Sequence, residues 1–543
     1  MSRPAIRCGD CASKNPSRPL GALWHSLSRA AGRPLAGFLR QDGGRCLPGT
    51  CTLRFGVESV PQYNGGVSMV KIIVKMLLAV LLGGTVILPA FAQDVSNATV
   101  VSAGSTTARK LADRFAEVAN VLDFGAKCDG VTDDAAAINA ALSQAVTAVI
   151  PNGTCRVAST IVVQPGANLK GIIFSTQQPP SGSVLQCDLS VSPCVKVFEP
   201  FNLPQTKGGQ LVSDLTISRA AGQIPSGATC LYSETFFVMV RYVSCNGHDV
   251  GYEFVQRIST GGYGIIAKLD HISTCNITGT DLVQNGIAEL NIDVGRFGCN
   301  GTRNSGRHNN YISITGGAAG PNTLVVSNSV FNDIQNPTCF VNWNNLTVAS
   351  PTTSEFSFNG NHVEFTGGAG SPHNVFCSDQ TATAISLVRF NDNQVRDNDG
   401  TATVWNLNSE TTLGDWRMHG NSWIGFGVNG WTLSMSKPLL IFNSSGETFN
   451  NPRVTVIGAP SSAPSSVIFE GNSYAGGLTI GGNFGTAFPA RFSGVLAGGS
   501  VINNATSPVE IDIPGYSLTD RSSALALTFG GTSVSLGSKI GKW

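Results

Sequence analysis

The sequence predicts an all-β chain of repeating coils with one short helix near its start: two observations carry the fold, and a third bounds the partners. Short β-branched or aromatic runs recur through long Asn-, Ser-, Thr- and Gly-rich stretches. An apolar residue followed by Asn or Gly returns at intervals of 24 to 32 residues in the C-terminal half, a spacing that suits one coil of a solenoid. Charged residues are only 13% of the chain, and the net charge of +1 sets up no field that would steer it to nucleic acid or to an anionic membrane.

Taken in order, the first 68 residues hold nine Arg/Lys against three Asp/Glu and no sustained periodicity, and read as an upstream extension. Cys8-x-x-Cys11 and Cys46…Cys51 within it lack the helical or ribbon pattern of a zinc site, so no metal is expected there. Residues 69–92 (MVKIIVKMLLAVLLGGTVILPAFA) combine two lysines, an apolar stretch and an Ala-Phe-Ala end, the parts of a secretory signal peptide. A membrane anchor is the rival, set against by a run barely of spanning length. The expected product is secreted or periplasmic, with no membrane contact in the mature form and a lead-in over 93–118.

Ten of the 14 cysteines lie after Gln93, an even number that fits disulfides in an oxidising compartment, with sequential neighbours the expected pairing.

The stretch NVLDFGAKCDGVTDDAAAINAAL (120–142) packs four aspartates into a dozen residues. Each has a local use: Thr132 can cap a helix over DDAAAINAALSQA, Asp133 and Asp134 suit its positive end, Asp129-Gly130 is a turn pair, and Val121–Phe124 reads as a short strand. With VIPNGTCRVASTIVVQPGANLKG after it, this segment resembles the opening of pectate lyase superfamily proteins related to family 28 glycoside hydrolases, a pattern shared with phage tailspikes. The resemblance implies a right-handed parallel β-helix whose open end is covered by the helix, with strands starting at Pro151–Thr154. It implies a polysaccharide partner, and through the tailspikes it leaves a homotrimer open. Cys128 and Cys155 stand where relatives carry other residues, and their paired departure implies a Cys128–Cys155 disulfide.

The solenoid is expected over 119–505 and a C-terminal cap or assembly segment over 506–543. Phe358, Phe390, Met418, Phe442 and Phe469 are the apolar residues of the recurring motif, expected to stack along the axis, while the trailing Asn takes a left-handed turn and bonds to the Asn one coil away. Cys245-Asn246, Cys275-Asn276 and Cys299-Asn300 extend the same ladder upstream at spacings of 30 and 24.

Enzymes on this fold bind polysaccharide on an outer face, where side chains of adjacent coils form columns about 4.8 Å apart. With the Cys-Asn pairs as a ruler, Asp270 and Asp293 fall at nearly equivalent places and Arg241 close to them. Two carboxylates one coil apart suit a retaining glycosidase pair. Asp270, Asp293 and Asp249 are the candidate catalytic residues; Arg241, Arg296 and His271 are candidates for binding substrate. His248 and Glu289 are further possibilities, and strand alternation sets His271 on the opposite side from Asp270. The family's polygalacturonase signatures are missing. Plain polygalacturonase activity is therefore not expected; the carboxylate pair points to hydrolysis of a cell-wall or extracellular polysaccharide without a cofactor. A lyase would need an Arg or Lys base and calcium; Asp392, Asp397 and Asp399 form an acidic loop that could hold it but reads first as a solvated loop, and a non-catalytic carbohydrate-binding protein is the other alternative.

Overall fold

The computed structural model describes residues 40–41, 55–56, 97–101, 106–172, 182–199, 209–255, 266–286, 289–298, 310–315, 323–334, 339–344, 355–365, 373–378, 385–397, 405–408, 413–425, 431–434, 441–450, 453–458, 466–484, 490–506, 509–513, 526–529 and 532–535. The chain divides into two units, Met1–Gln93 and Asp94–Trp543. In the first, Arg40–Gln41 pairs antiparallel with Phe55–Gly56. The signal segment and the cysteines at 8, 11, 46 and 51 lie outside the described residues. Among the described residues no helix is long and apolar enough to cross a membrane.

The second unit is wound from repeated parallel coils. Phe237–Asn246 crosses one face, bends at Tyr242 and continues on a second; Val250–Val255 forms the third; Ile266–Asp270 then returns to the first face, paired in parallel with Phe237–Arg241. Repetition builds a 25-stranded sheet that carries the first two faces and a 13-stranded sheet that is the third. Parallel crossovers of this kind wind right-handed, and the solenoid is a right-handed parallel β-helix. It continues beyond residue 505, because Val509–Asp512 pairs in parallel with Ala490–Ser493. Ala526–Phe529 and Thr532–Ser535 form a separate antiparallel pair.

The bend between the first two faces repeats one backbone device. A single residue per coil takes a left-handed φ of 51–67°: Asp214, Tyr242, His271, Val294, Asn328, Gly360, Asp392, Gly420, Gly446 and Gly471. In the later coils the next residue points inward, and Asn361, Asn393, Asn421, Glu447 and Asn472 are all buried. Each accepts the backbone N–H of the preceding coil: Ser329 N to Asn361 Oδ1 (2.8 Å), Asn361 N to Asn393 Oδ1 (2.9 Å), Asn393 N to Asn421 Oδ1 (2.8 Å), Asn421 N to Glu447 Oε1 (3.3 Å) and Glu447 N to Asn472 Oδ1 (2.8 Å). The amide groups in turn donate to carbonyls, as Asn393 Nδ2 does to Phe358 O at 2.8 Å. The expected Asn ladder exists, but the left-handed residue is the one before each Asn. An inward amide satisfies a buried N–H that the bend leaves without a strand partner.

The core is a stack of aligned apolar side chains. Phe358 lies over Phe390 at 5.0 Å and 12°, Phe297 over Phe331 at 4.5 Å, and Phe449 over Tyr474 at 5.7 Å and 5°. The expected column breaks at one coil, because Met418 pairs with Ser444, and Phe442 sits opposite Trp416. Asn443 imitates the motif in the sequence, whereas the bend glycine is Gly446 and the ladder residue is Glu447. The Cys-Asn register also differs: Cys245 pairs with Thr274 and Asn246 with Cys275. Those Asn residues stand at the far end of the second face, a different corner from the ladder, although Asn276 Nδ2 does donate to Asn246 Oδ1 (3.0 Å). Cys299-Asn300 lies outside the described residues.

At the N-terminal end the helix Ala135–Gln144 buries Ala135, Ile138, Ala141 and Leu142 against the first coil. Val121–Phe124 is a 3₁₀ turn, and the strand before it is Val118–Asn120, paired with Thr147–Val149. Thr132 does not cap the helix, since its hydroxyl donates to Asp129 Oδ2 (2.9 Å). The amides go to the aspartates: Asp129 Oδ1 accepts from Val131 and Thr132, Asp133 Oδ1 from Ala135 and Ala158, and Asp134 from Lys127 and Cys128. Cys128–Cys155, Cys187–Cys194 and Cys230–Cys245 are disulfides between sequential cysteines, the first as the resemblance implied.

Peptide mapping without reduction is expected to recover these three bridges. Glu447 gives a second prediction. Burial raises its carboxyl to about 8, and hydrogen bonds from Trp423 and Asn421 only partly oppose this. The folded state therefore holds the proton more tightly than the unfolded chain. The resulting stability is full below the ordinary carboxyl range and is lost as pH rises through about 8. Urea midpoints measured between acid pH and pH above that value are expected to fall for the native chain, and to stay nearly level for Glu447→Gln.

Candidate functional site

The first face presents every second side chain outward, so residues paired across coils become columns. Arg241 pairs with Asp270, Asp270 with Asp293, and Asp293 with Ser327. The sequence ruler drifts by one residue per coil, yet the column it pointed to is real. Each member stands immediately before the left-handed bend residue.

Side-chain contacts bind the column together. Arg241 Nε lies 3.1 Å from Asp270 Oδ2, and His271 Nδ1 lies 2.5 Å from Asp270 Oδ1. Strand alternation would have kept His271 away. The left-handed backbone at His271 (φ 53°) cancels that alternation and brings its ring beside the preceding carboxylate. Each Asp270 oxygen is thus met by a nitrogen, Oδ2 by Arg241 and Oδ1 by His271. Asp293 Oδ1 accepts from Asn328 Nδ2 (2.9 Å) and Ser327 Oγ (3.2 Å). Adjacent rungs set the two aspartates on strands about 4.8 Å apart.

Other expected residues fall elsewhere. Asp249 stands at the corner before the third face, where it accepts from Gly227 N (2.6 Å) and Thr278 Oγ1 (2.7 Å); it holds a turn and does not join the column. Arg296 pairs with Ser273 on the second face, past the bend. Glu289 opens the strand that ends in Asp293 and accepts from Asn291 Nδ2. His248 is buried against Arg219, and burial first, then the Arg219 charge, keeps its imidazole well below the usual range. It is a core residue. Asp399 lies outside the described residues, as does the side chain of Asp397.

Tyr242 was missed by the sequence reading. It follows Arg241 as His271 follows Asp270, and the two rings meet at 4.7 Å and 41°. The Arg241 guanidinium lies 4.9 Å over the Tyr242 ring. Alignment of coils by the bend, in place of the Cys-Asn pairs, would have brought it into view.

Among the described residues one group has its potential metal-ligating atoms within 4.8 Å of one another, Cys128, Asp134 and Cys155. Its sulfurs are joined in a disulfide and Asp134 is engaged by two backbone amides, so those donors are already used.

With the coils in place, the chain can be compared with known proteins. Residues 118–175 match the model of the rhamnogalacturonase A/epimerase, pectate lyase-like family. No curated protein matches the sequence. Among solved structures, the N-terminal fragment of bacteriophage phi29 gene product 12 is 14% identical, covering 78% of this chain and 73% of its own, with a TM-score of 0.41. The A-module of mannuronan C-5 epimerase AlgE4 from Azotobacter vinelandii is 13% identical over 74% of this chain and 98% of its own, with a TM-score of 0.30. The GH87 α-1,3-glucanase catalytic unit from Streptomyces thermodiastaticus is 14% identical over 74% and 69%, with a TM-score of 0.32. The chain is a parallel β-helix protein whose opening segment, residues 118–175, is pectate lyase-like.

Val294, the bend residue after Asp293, is β-branched and left-handed at φ 54°, a combination that costs about 1 kcal/mol or more. Val294→Asn is expected to raise unfolding stability by roughly 1 kcal/mol in urea titrations.

Proposed function

We propose that the chain is a secreted or periplasmic protein that hydrolyses glycosidic bonds of an extracellular polysaccharide at the Asp270–Asp293 column. The observation that carries this reading is the register, which sets Asp293 one rung from Asp270 and the His271 ring hydrogen-bonded to it, a carboxylate beside an acid–base group. Disulfides support export to an oxidising compartment.

In this mechanism Asp293 attacks the anomeric carbon and the glycosidic C–O bond breaks. The leaving oxygen takes a proton from the imidazolium of His271, which Asp270 holds in place. The imidazole then removes a proton from water, whose oxygen displaces Asp293 and frees the sugar. Arg241 holds the Asp270 carboxylate in place. Arg241 is thereby tied to a carboxylate, which ranks a lyase using it as base below the hydrolase. A binding-only role is the second reading, favoured by the protein donors that already meet both Asp270 oxygens.

Reducing-end release from dextran, polygalacturonate and alginate tests the proposal. The native chain is expected to release ends from at least one, and Asp293→Asn and His271→Asn to lose at least about a hundredfold of that rate. Ends released equally by both variants would remove the site assignment. Retention of a polysaccharide without release would favour the binding role, and ultraviolet absorbance of an unsaturated uronate would favour a lyase.

A further inference from the structure

The left-handed bend position is filled in two ways along the solenoid. From Asn328 to Gly471 it holds Asn, Asp or Gly, residues that take this backbone at little cost. Over the three coils that carry the carboxylate column it holds Tyr242, His271 and Val294, with φ of 52°, 53° and 54°. Nothing in winding the coil calls for bulk there, because the later coils make the same bend with glycine. Aromatic and β-branched side chains at three consecutive left-handed positions cost stability, and strain of this kind persists where side chains serve another purpose.

Their placement indicates the purpose. By the pairing of Arg241, Asp270 and Asp293, the three bend residues follow one another along the axis, each beside one member of the column. The Tyr242 and His271 rings are in contact at 4.7 Å, and the Arg241 guanidinium packs on the Tyr242 ring. The row remains open to solvent, His271 being 42% and Val294 39% exposed. An apolar, partly aromatic strip beside a line of charged and hydrogen-bonding groups matches the two-sided chemistry of a sugar ring, whose C–H face is apolar and whose rim carries hydroxyls.

We propose that Tyr242, His271 and Val294 form a platform on which the C–H face of a pyranose ring packs, presenting its rim to the Arg241–Asp270–Asp293 column. This rests on the polysaccharide reading of that column and adds Tyr242 as a binding residue. The platform selects for sugars with an extended C–H face, and it runs along the solenoid axis, so it orients a chain parallel to the stack of coils.

The test uses the backbone cost. Tyr242→Gly removes the ring and relieves the bend together, so stability and binding are expected to move in opposite directions. Affinity electrophoresis through gels containing dextran, polygalacturonate or alginate reads binding, and urea unfolding reads stability. Tyr242→Gly is expected to unfold at equal or higher urea and to bind the retarding polysaccharide on the order of fivefold more weakly. Tyr242→Phe is expected to bind as the native chain does. Unchanged retardation of Tyr242→Gly, or equal loss in Tyr242→Phe, would overturn the platform. If Asp293→Asn still abolishes release in that case, the catalytic reading stands without it. A native chain retarded by none of the three polysaccharides would overturn both.

Discussion

The structure depends on how the backbone amide just inside each bend is satisfied. In the later coils the bend turns that N–H into the core, where only a group from the next coil can reach it, and the ladder amides of Asn361, Asn393, Asn421 and Asn472 do so. A buried N–H without a partner costs more than one hydrogen bond contributes, so the coils lock in a single register at this corner. Loops elsewhere can then differ in length without disturbing the columns. That is why a chain with variable spacing between motif copies still places residues of distant sequence position side by side.

Glu447 is the exception inside the ladder. Its carboxyl accepts from Asn421 and Trp423, filling the place of an amide, but it brings an ionisable group into a site shielded from water. Only the protonated form is neutral there. The ladder thus contains one rung whose strength follows pH, between rungs whose strength does not.

Much of the fold was legible because solenoid periodicity is written in side-chain type. The Phe-Asn-Gly-Asn motif at 358–361 and its variants marked the coil, and the aspartates at 129, 133 and 134 read as local structural residues, although the capping of amides that the sequence assigns to Thr132 falls to them. Misreadings arose where one residue type can occupy two places. Asn443 resembles a ladder residue, so Phe442 was placed in the column that Ser444 occupies. The Cys-Asn pairs resemble one another but slip by one position between coils. Contacts across the column were not legible, because they depend on a backbone angle. His271 reaches Asp270 only because its φ is positive, and no alternation rule anticipates a sign change at a histidine.

The coils also divide the tasks of stability and chemistry. Among the described residues the amide ladder runs from Ser329 to Asn472, and three disulfides join cysteines between Cys128 and Cys245, Cys275 being bridged as well. In the coils of the candidate site the inward residues after the bend are Val243, Ile272 and Gly295, none of which can accept a hydrogen bond through its side chain. Those coils forgo the easy bend residue, and the inward amide of Gly295 is met by a hydroxyl, Ser329 Oγ (2.9 Å), in place of an Asn. Apolar stacking and the Cys230–Cys245 bridge hold them, the bridge by limiting the freedom of the unfolded chain. Bridged cysteines stand near the first two strained bends, Cys245 after Tyr242 and Cys275 after His271, whereas the coils from Asn328 on keep Asn, Asp and Gly at the bend and let the ladder set their register.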